Sequence, residues 1–437
     1  MDCAHRKGIV SKLCQGCLLR VGIILSVNRK HQSSIIRFLL LCETPLFGAI
    51  FAFVIYVALS TLRGSPFQIS GSPYFNYLAD SFLHGQLHLR LLPASLHDLS
   101  FFHGNYYLYW PPMPALVLMP FVAIFGVNFS DVFFTIVVAS ANVGVIALLL
   151  RAANEEKLIE LDELSRALLV LFFAFGTVHL TLAPFGRIWY TAQELGFLFV
   201  ALAYLAALRL KGRSAFFVTG LFIACAMLTR NHLLFTGIWP AWHLLKKNWD
   251  IRPRPYASFG LALLPALVLG SLFLGYNVAR FGSPFELGIQ YHQMSEIFVE
   301  DYQEYGAFHL HYLPTNFFYQ YVRYPLPYTV ETVMGGSLFL LSPVFFYIIP
   351  GIVRRYRTVD TWMLLASILA TSIPILLLMG TGWIQFGPRY TLDFTVPLLL
   401  LTAQGVQFAS KRILPVLVII SIVQYFIGTL FLLYVLR

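Results

Sequence analysis

The side chains best suited to chemistry lie in a polar stretch, residues 63–114, that follows the first long apolar run. This stretch contains two carboxylates, Asp80 and Asp98. His84 follows Asp80 by four residues, so a helix ending before Gly85 would place both side chains on one face. A carboxylate beside an imidazole can act as a general base toward a hydroxyl group. Asp80, His84 and Asp98 are therefore the candidate catalytic residues, with Asp80 first.

The two carboxylates, and the aromatic residue Trp110 that follows them, also have structural interpretations that the sequence leaves open. Asp80 could be a helix acid with no catalytic role, and Asp98 could cap the helix or turn that follows it. Trp110, at the end of an aromatic run, is typical either of an interfacial belt or of a surface that stacks on a sugar ring. The two carboxylates could hold a divalent metal, but their spacing does not require one, and no metal-ligand set is predicted.

Four arginines form a second group of candidates, because they stand at ends of apolar runs on the side away from the main basic clusters. They are Arg187, Arg230, Arg280 and Arg389. Arginine at membrane depth is costly and is usually paired or functional. Its guanidinium matches phosphate oxygens well, which predicts a phosphate-binding cluster. For Arg389, an ordinary ion pair with Asp393, four residues on, is the alternative.

The composition bounds the kind of molecule that must position these groups. The chain has 437 residues, of which 58% are hydrophobic and only 11% charged, whereas a soluble domain carries about 25% charged residues. It is therefore a polytopic membrane protein. The net charge of +10 is better explained by basic cytoplasmic loops that set orientation than by nucleic-acid binding, so no nucleic-acid partner is expected.

The hydropathy pattern predicts an all-α polytopic membrane protein with about 11 transmembrane helices. It also predicts a large non-cytoplasmic first loop carrying short interfacial helices. The expected spans are residues 35–62, 131–150, 167–183, 194–208, 215–228, 233–245, 256–278, 337–353, 362–379, 395–408 and 413–436. Residues 112–126 are apolar but too short to span, which favours a helix at the interface.

The basic clusters that follow these spans all fall on one side under this arrangement, as the positive-inside rule requires. Residues 1–34 are then a basic cytoplasmic segment, and residues 35–437 form one transmembrane domain. Four polar segments are expected on the outer side: the large loops 63–130 and 280–336, and the shorter segments 184–193 and 380–394.

The order of these features resembles the GT-C class of integral-membrane glycosyltransferases, and in particular its protein mannosyltransferase-like members. The matching pieces are the first outer loop, PPMP at 111–114, FG at 125–126, SD at 130–131, the stretch 187–194, LTR at 228–230, RFGSPFE at 280–286 and FGPRY at 386–390. The class usually carries its acid just after the first span, near residues 70–74, where this chain has none. Asp80 is the nearest candidate and Asp98 the second.

The resemblance implies an inverting hexosyl or pentosyl transfer from a polyprenyl-phosphate-sugar donor. The acceptor would be a lipid-linked molecule, a glycan or a protein. Membrane lipid would be a further partner. A loop carboxylate would be the base, and Arg187, Arg230 and Arg389 would hold phosphate. The remaining predicted substrate-binding residues are Tyr190, Glu194, Arg280, Tyr390 and Trp110. The expected location is a bacterial inner (plasma) membrane with the site on its outer face.

Two other classes of protein remain open from the sequence. A transporter or lipid flippase would favour broken helices and charges at the membrane midplane, whereas the polar residues here lie mainly in loops. A structural membrane subunit would use the same loops to bind a partner. Flux without a glycosyl product would indicate the first, and loss of assembly only on loop deletion would indicate the second.

Overall fold

The computed structural model describes residues 34–249, 256–325, 334–380, 382, 385–408, 410 and 412–435. The predicted cytoplasmic segment 1–34 lies outside these residues except for Ser34, and so does the part of the second large loop from 326 to 333.

The described chain is mostly helical. The α-helices are α1 Ser34–Cys42, α2 Pro45–Thr61, α3 Tyr74–Leu83, α4 Met113–Phe125, α5 Asp131–Glu155, α6 Glu163–Phe175, α7 His179–Leu182, α8 Ile188–Arg209, α9 Gly212–Met227, α10 Ile238–Lys247, α11 Tyr256–Phe281, α12 Glu296–Tyr305, α13 Leu313–Phe317, α14 Leu338–Leu341, α15 Ile348–Arg355, α16 Val359–Leu377, α17 Thr395–Val406 and α18 Ile413–Val435. Short 3-10 helices occupy Asn231–Gly237, Ile289–Tyr291, Leu310–Tyr312, Pro343–Tyr347 and Arg389–Phe394, and a π-helical turn occupies Phe318–Val322.

Two small sheets complete the secondary structure of the described residues. Strands β1 Ser100–Phe102 and β2 Asn105–Tyr107 form an antiparallel hairpin within the first large loop. Strands β3 Met334–Gly335 and β4 Gln385–Phe386 pair in parallel.

Six helices of the described chain are long and apolar enough to cross a membrane, so the chain is an integral membrane protein. They are Asp131–Glu155, Glu163–Leu182, Ile188–Arg209, Ala257–Phe281, Val359–Leu377 and Ile413–Tyr434. Helices α1 and α2 could add a seventh span. The predicted number of about eleven is not confirmed.

The difference comes from segments that are apolar but are not single long helices. The stretch expected at 337–353 is divided into α14, a 3-10 turn and α15. Pro343 begins that turn, and proline supplies no backbone N–H to continue a helix. The stretch expected at 395–408 is a helix of only 12 residues.

The first span also departs from the prediction, because residues 35–62 form two helices that meet at an angle of 97°. Pro45 begins α2 just after the bend. The buried Glu43 lies at the corner, where its Oε1 accepts hydrogen bonds from Arg166 Nε at 2.7 Å and Arg151 Nε at 3.2 Å. This ion-paired cluster ties the corner to α5 and α6.

The helices approach one another closely where glycine allows it, as is common between membrane helices. A Cβ atom on Gly405 of α17 would lie 1.7 Å from the carbonyl oxygen of Tyr347, and one on Gly220 of α9 would lie 2.0 Å from that of Ala262. Neither position can accept a side chain without moving a backbone.

The first large loop contains the short helices α3 and α4. Helix α3 ends before Gly85, which has a φ of +69°. Helix α4 has 13 residues and a length of about 20 Å, less than the roughly 30 Å of a bilayer core. The loop places these elements over the ends of α5 and α8, where the candidate site lies.

Candidate active site

Side chains from all four polar segments line one cavity of about 270 Å³, called here the polar cavity. Its lining includes His97, Asp98, Arg187, Trp189, Tyr190, His292, Arg389 and Tyr390. Because these segments are distant in sequence, the fold itself gathers their ionisable groups on one side of the molecule.

Asp98 supplies the carboxylate of the polar cavity. It is only 8% exposed and precedes β1 with a φ of +64°. Its Oδ1 accepts a hydrogen bond from His292 Nε2 at 2.8 Å, and His97 Nε2 lies 3.5 Å from the same oxygen. No described residue donates a hydrogen bond to Oδ2. The element that follows Asp98 is a strand, so the helix-capping alternative does not apply.

Tyr109 packs beside this carboxylate, with its ring centroid 4.7 Å from that of His292. Burial and the negative charge of Asp98 raise the pKa of the Tyr109 hydroxyl well above its usual value. The phenol is therefore neutral at physiological pH and can donate a hydrogen bond.

Arg389 supplies the main cation and is 8% exposed. Its Nη2 donates to Tyr390 Oη at 3.2 Å, and its guanidinium carbon lies 5.9 Å from the ring centroids of both Trp189 and Tyr190. No described aspartate or glutamate lies within ion-pair distance of it, so the alternative pair with Asp393 is not formed.

The electrostatic balance favours the charged form of Arg389. Burial alone would lower its pKa, but the nearby tyrosine hydroxyls and the Asp98 carboxylate outweigh that effect and raise the pKa. Arg389 Nε is buried and has no hydrogen-bond partner among the described residues. A buried guanidinium of this kind is well suited to an anionic ligand.

Arg187 reaches the polar cavity from the residue before α8. The preceding Gly186 makes this possible, because a Cβ there would lie 2.3 Å from the backbone nitrogen of Val132. Arg63 is close enough that burial and the charge of Arg187 together lower the pKa of Arg63. Two neighbouring arginines strengthen the positive potential at this edge of the cavity.

A second cavity of about 270 Å³, called here the apolar cavity, adjoins the first because Tyr390 lines both. Its other lining side chains are mainly apolar: Phe235, Phe308, Pro374, Ile375 and Leu378. Phe235 and Phe308 are also 42% and 54% exposed. The polar part of its lining is Arg230, Asn231 and His232.

Arg230 and His232 share one carboxylate, that of the buried Asp393. Asp393 Oδ2 lies 3.0 Å from Arg230 Nη2 and 2.7 Å from His232 Nε2. Burial acts to raise the pKa of Asp393, but Arg230 and His232 lower it below its usual value. Arg230 is thus largely neutralised, unlike Arg389, and is the weaker phosphate candidate.

Trp110 and Tyr390 enclose Arg230, whose guanidinium carbon lies 5.6 Å and 5.4 Å from their ring centroids. The Tyr390 ring also contacts Arg389, whose guanidinium carbon lies 4.9 Å from the ring centroid. The aromatic residues predicted for the site therefore hold its arginines in place. Trp110 itself does not appear in the lining of either cavity.

Asp80, the first candidate for the base, lies elsewhere. Its two oxygens accept hydrogen bonds from Arg90 at 2.9 and 3.0 Å. His84 Nδ1 lies 2.8 Å from the Asp80 backbone oxygen and 3.7 Å from its carboxylate. The helix and its stop are as predicted, but neither Asp80 nor His84 lines the polar or apolar cavity.

Glu194 and Arg280 are also outside both cavities. Glu194 is fully buried in the helical core, where Asn142 Nδ2 donates to its Oε2 at 2.8 Å and His179 Nδ1 lies 2.9 Å from it. Arg280 Nη1 donates to the Leu108 carbonyl at 2.7 Å. This bond fastens the end of α11 to the loop that carries Trp110.

The geometry does not support a metal held by Asp80 and Asp98 together, because Asp80 is bound by Arg90 and Asp98 by His292. Across the described ranges, no group of three or more His, Cys, Asp or Glu side chains is arranged to hold a metal ion.

Several residues of the site were not predicted. Trp189 precedes the predicted Tyr190, and His232 lies two residues after the predicted Arg230. Including the neighbours of predicted residues would therefore have found both. Gln193 Nε2 donates to the Arg389 carbonyl at 2.8 Å. His292 lies in the second large loop with no local signal, and only the fold brings it to Asp98.

Sequence comparison gives no family for this chain: no family model matches it. No curated protein matches it in sequence either.

Comparison with solved structures finds similar chains. The crystal structure of ArnT from Cupriavidus metallidurans in the apo state has a TM-score of 0.50 and 13% identity, and the match covers 84% of this chain. The structure of ArnT from the same organism bound to undecaprenyl phosphate has a TM-score of 0.47, with the same identity and coverage. The apo oligosaccharyltransferase from Archaeoglobus fulgidus has a TM-score of 0.44 and 13% identity, and the match covers 88% of this chain.

This chain has the GT-C-type membrane glycosyltransferase fold, as the resemblance predicted. It spans 60% of the ArnT chain and 55% of the archaeal one.

Proposed function

We propose that this protein is a glycosyltransferase that moves a sugar from a polyprenyl-phosphate donor to a nucleophilic acceptor. The observation that carries the proposal is the polar cavity, where a buried carboxylate, Asp98, shares a lining with a buried guanidinium, Arg389, that has no carboxylate partner among the described residues. These are the two charges that such a transfer needs.

Asp98 is the proposed base, in preference to Asp80. Its Oδ1 is held by His292, which leaves Oδ2 for an acceptor hydroxyl. Asp80, by contrast, uses both oxygens on Arg90. A general base must reach the proton that it removes, and the position of Asp98 in the lining of the polar cavity supports this role.

The proposed reaction is a direct displacement. The acceptor O–H bond breaks as its proton passes to Asp98 Oδ2, and the acceptor oxygen bonds to the anomeric carbon. The bond from that carbon to the phosphate oxygen breaks, and its electron pair leaves with the lipid phosphate. Arg389 and Arg187 would stabilise the charge that develops there. The anomeric configuration is inverted.

The apolar cavity is the proposed place for the start of the donor lipid. It adjoins the polar cavity at Tyr390, and two of its apolar side chains, Phe235 and Phe308, are exposed. A polyprenyl phosphate placed across the two cavities would put its phosphate near Arg389 and its chain against Phe235 and Leu378. The site would face the outer side of the membrane.

The test is turnover of a panel of radiolabelled polyprenyl-phosphate sugars by the purified protein. ArnT from Cupriavidus metallidurans binds undecaprenyl phosphate, so undecaprenyl-phosphate sugars are the first donors to use. The expected result is transfer or slow hydrolysis of one donor. Asp98→Asn should reduce turnover about 10²- to 10⁴-fold, the usual contribution of a general base.

Asp80→Asn is the matched control, since it neutralises a carboxylate of the same loop. It should retain most of the turnover. The base assignment would be wrong if Asp80→Asn lost activity and Asp98→Asn kept it. Movement of a labelled lipid across proteoliposomes, with no glycosyl product from any donor, would instead indicate a transporter or flippase.

A further inference from the structure

We propose that His292 is a positioning residue for Asp98, and that the segment Gly288–Met294 completes the active site. This inference rests on the proposed function, because it concerns the orientation of the proposed base. His292 lies in the second large loop, 194 residues after Asp98, and no signal near either residue links them.

The first observation is the hydrogen bond itself. His292 Nε2 donates to Asp98 Oδ1 at 2.8 Å, and the His292 side chain is 6% exposed. The bond holds one carboxylate oxygen, and the other has no hydrogen-bond donor among the described residues. His97 lies 3.5 Å from the same oxygen but is 49% exposed, which makes it a poorer anchor.

The second observation is that the backbone of this segment holds the backbone around Asp98. The Asp98 N–H donates to the Gln293 carbonyl at 3.2 Å, and the Gln293 N–H donates to the Leu99 carbonyl at 2.8 Å. Ser100 pairs with His292 as an antiparallel bridge. The segment thus acts as a further strand beside β1.

This support matters because Asp98 has a φ of +64°. Aspartate tolerates that left-handed conformation better than most residues, but it needs surrounding contacts to persist. The contacts come from the segment Gly288–Met294. The Ser100 hydroxyl, which is fully buried, also donates to the Gly288 carbonyl at 2.7 Å.

The third observation is that His292 is itself fixed. Tyr109 covers its ring at 4.7 Å, and Nδ1 is buried with no hydrogen-bond partner among the described residues. A histidine that served only packing would not need an unpaired buried nitrogen, which is costly. Within the described ranges, the hydrogen bond of the His292 side chain is to Asp98, so the role of His292 acts through that carboxylate.

The experiment is a double-mutant cycle on turnover of the donor identified above. His292→Ala should lower kcat by on the order of 10²-fold, because a misplacement of about 1 Å has that effect. The KM for the donor should stay close to the wild-type value. His292→Gln, whose amide can still donate to Oδ1, should recover much of the loss.

In the Asp98→Asn background, His292→Ala should cause little further loss, since a residue that acts through Asp98 has no effect once that carboxylate is gone. A merely structural role would lower activity equally in both backgrounds. His103→Asn is the control: His103 is exposed on the same hairpin, and asparagine suits its φ of +47°.

If His292→Ala does not fold, Ser100→Ala replaces it, because this variant removes the bond that holds Gly288. It should lower kcat without changing the donor KM. Wild-type kcat in the variant that is used, His292→Ala or Ser100→Ala, or additive losses in its cycle with Asp98→Asn, would overturn the inference. Absence of turnover by the wild-type protein would count against the proposed function instead.

Discussion

At the scale of the residue, the site is defined by which charges are paired. Arg230, His232 and Asp393 form a closed group, whereas Arg389 has no carboxylate within reach among the described residues. The sequence predicts that Arg389 binds phosphate, and it leaves an ion pair with Asp393 open as the alternative, since the two residues are four apart. Residues 389–394 form a 3-10 helix, which does not align side chains at that spacing as an α-helix does.

The free charge of Arg389 leads to the first prediction. Arg389→Lys keeps the charge but loses the planar fork and its contacts with Tyr390. We expect kcat/KM for the donor to fall about 10²- to 10³-fold, as when one stabilising donor is removed from an active site. Steady-state kinetics with the donor panel would measure it. A lysine variant with wild-type kinetics would show that Arg389 provides only charge.

Glu194 gives the second prediction, because it is a fully buried acid that lies outside both cavities. Glu194→Ala leaves His179 and Asn142 without their shared partner and should cost about 3–5 kcal/mol of unfolding free energy. The donor KM of the folded fraction should not change. Thermal unfolding in detergent measures the first effect.

Glu160→Ala serves as the control, since Glu160 is 72% exposed and only 3.9 Å from its partner Arg355. Such exposed pairs contribute little. A raised donor KM in Glu194→Ala, with no loss of stability, would restore Glu194 as a substrate-binding residue.

How far the sequence could predict the site follows from these cases. Residue type and position relative to the spans were enough to find Asp98, Arg187, Arg389 and Tyr390. Nothing in the local sequence could show that Asp80 would pair with Arg90. The same helix is compatible with a free carboxylate and with a paired one. His292 could not be found at all, since its role depends on a contact across 194 residues.

At the scale of the element, short helices and turns join the site to the core. The 3-10 helices Asn231–Gly237 and Arg389–Phe394 meet through Asp393, which binds Arg230 and His232. The long helices were predictable from apolar composition and length. The broken helices were not predictable, because a run such as 337–353 has the composition of a span although a 3-10 turn that begins at Pro343 divides it.

Asp393 gives the third prediction. Asp393→Asn leaves a buried arginine without its counter-charge, which should cost about 3–5 kcal/mol of unfolding free energy near neutral pH. Because the pKa of Asp393 is lowered in the folded state, its stabilisation is present above its unfolded value, 3.8. The stabilisation is lost as the pH falls below that value.

The measurement is the unfolding midpoint of wild type and Asp393→Asn at several pH values. The difference between them should shrink as the pH falls below about 4. A difference that stayed constant with pH would mean that the charge of Asp393 is not what stabilises the contact.

The close contact between α15 and α17 gives the fourth prediction. Gly405→Ala adds a methyl group where the Tyr347 carbonyl lies, so the helices must separate, at a cost of about 1–3 kcal/mol or more. Gly275→Ala in α11 is the control, because a Cβ there meets no atom within 4 Å. Equal unfolding midpoints for the two variants would contradict the close packing.

At the scale of the whole molecule, the structure separates two sides. The polar cavity, the first large loop and the described part of the second lie at one set of helix ends. Ion pairs join the opposite ends: Arg209 to Glu155, Lys247 to Glu156 at 2.6 Å, and Arg355 to Glu160. The described residues of the basic clusters that are expected to be cytoplasmic belong to this second side. The positive-inside rule therefore predicts that the cavity faces the outer side of the membrane.

Sidedness can be tested by labelling single cysteines in a cysteine-free background. Phe285 is 84% exposed beside the segment Gly288–Met294, and Arg213 is exposed at the start of α9 on the opposite side. A membrane-impermeant maleimide should label Phe285→Cys in intact cells, and Arg213→Cys only after permeabilisation. The reverse pattern would put the cavity on the cytoplasmic face, where the donor sugar and acceptor would have to be supplied from the cytosol.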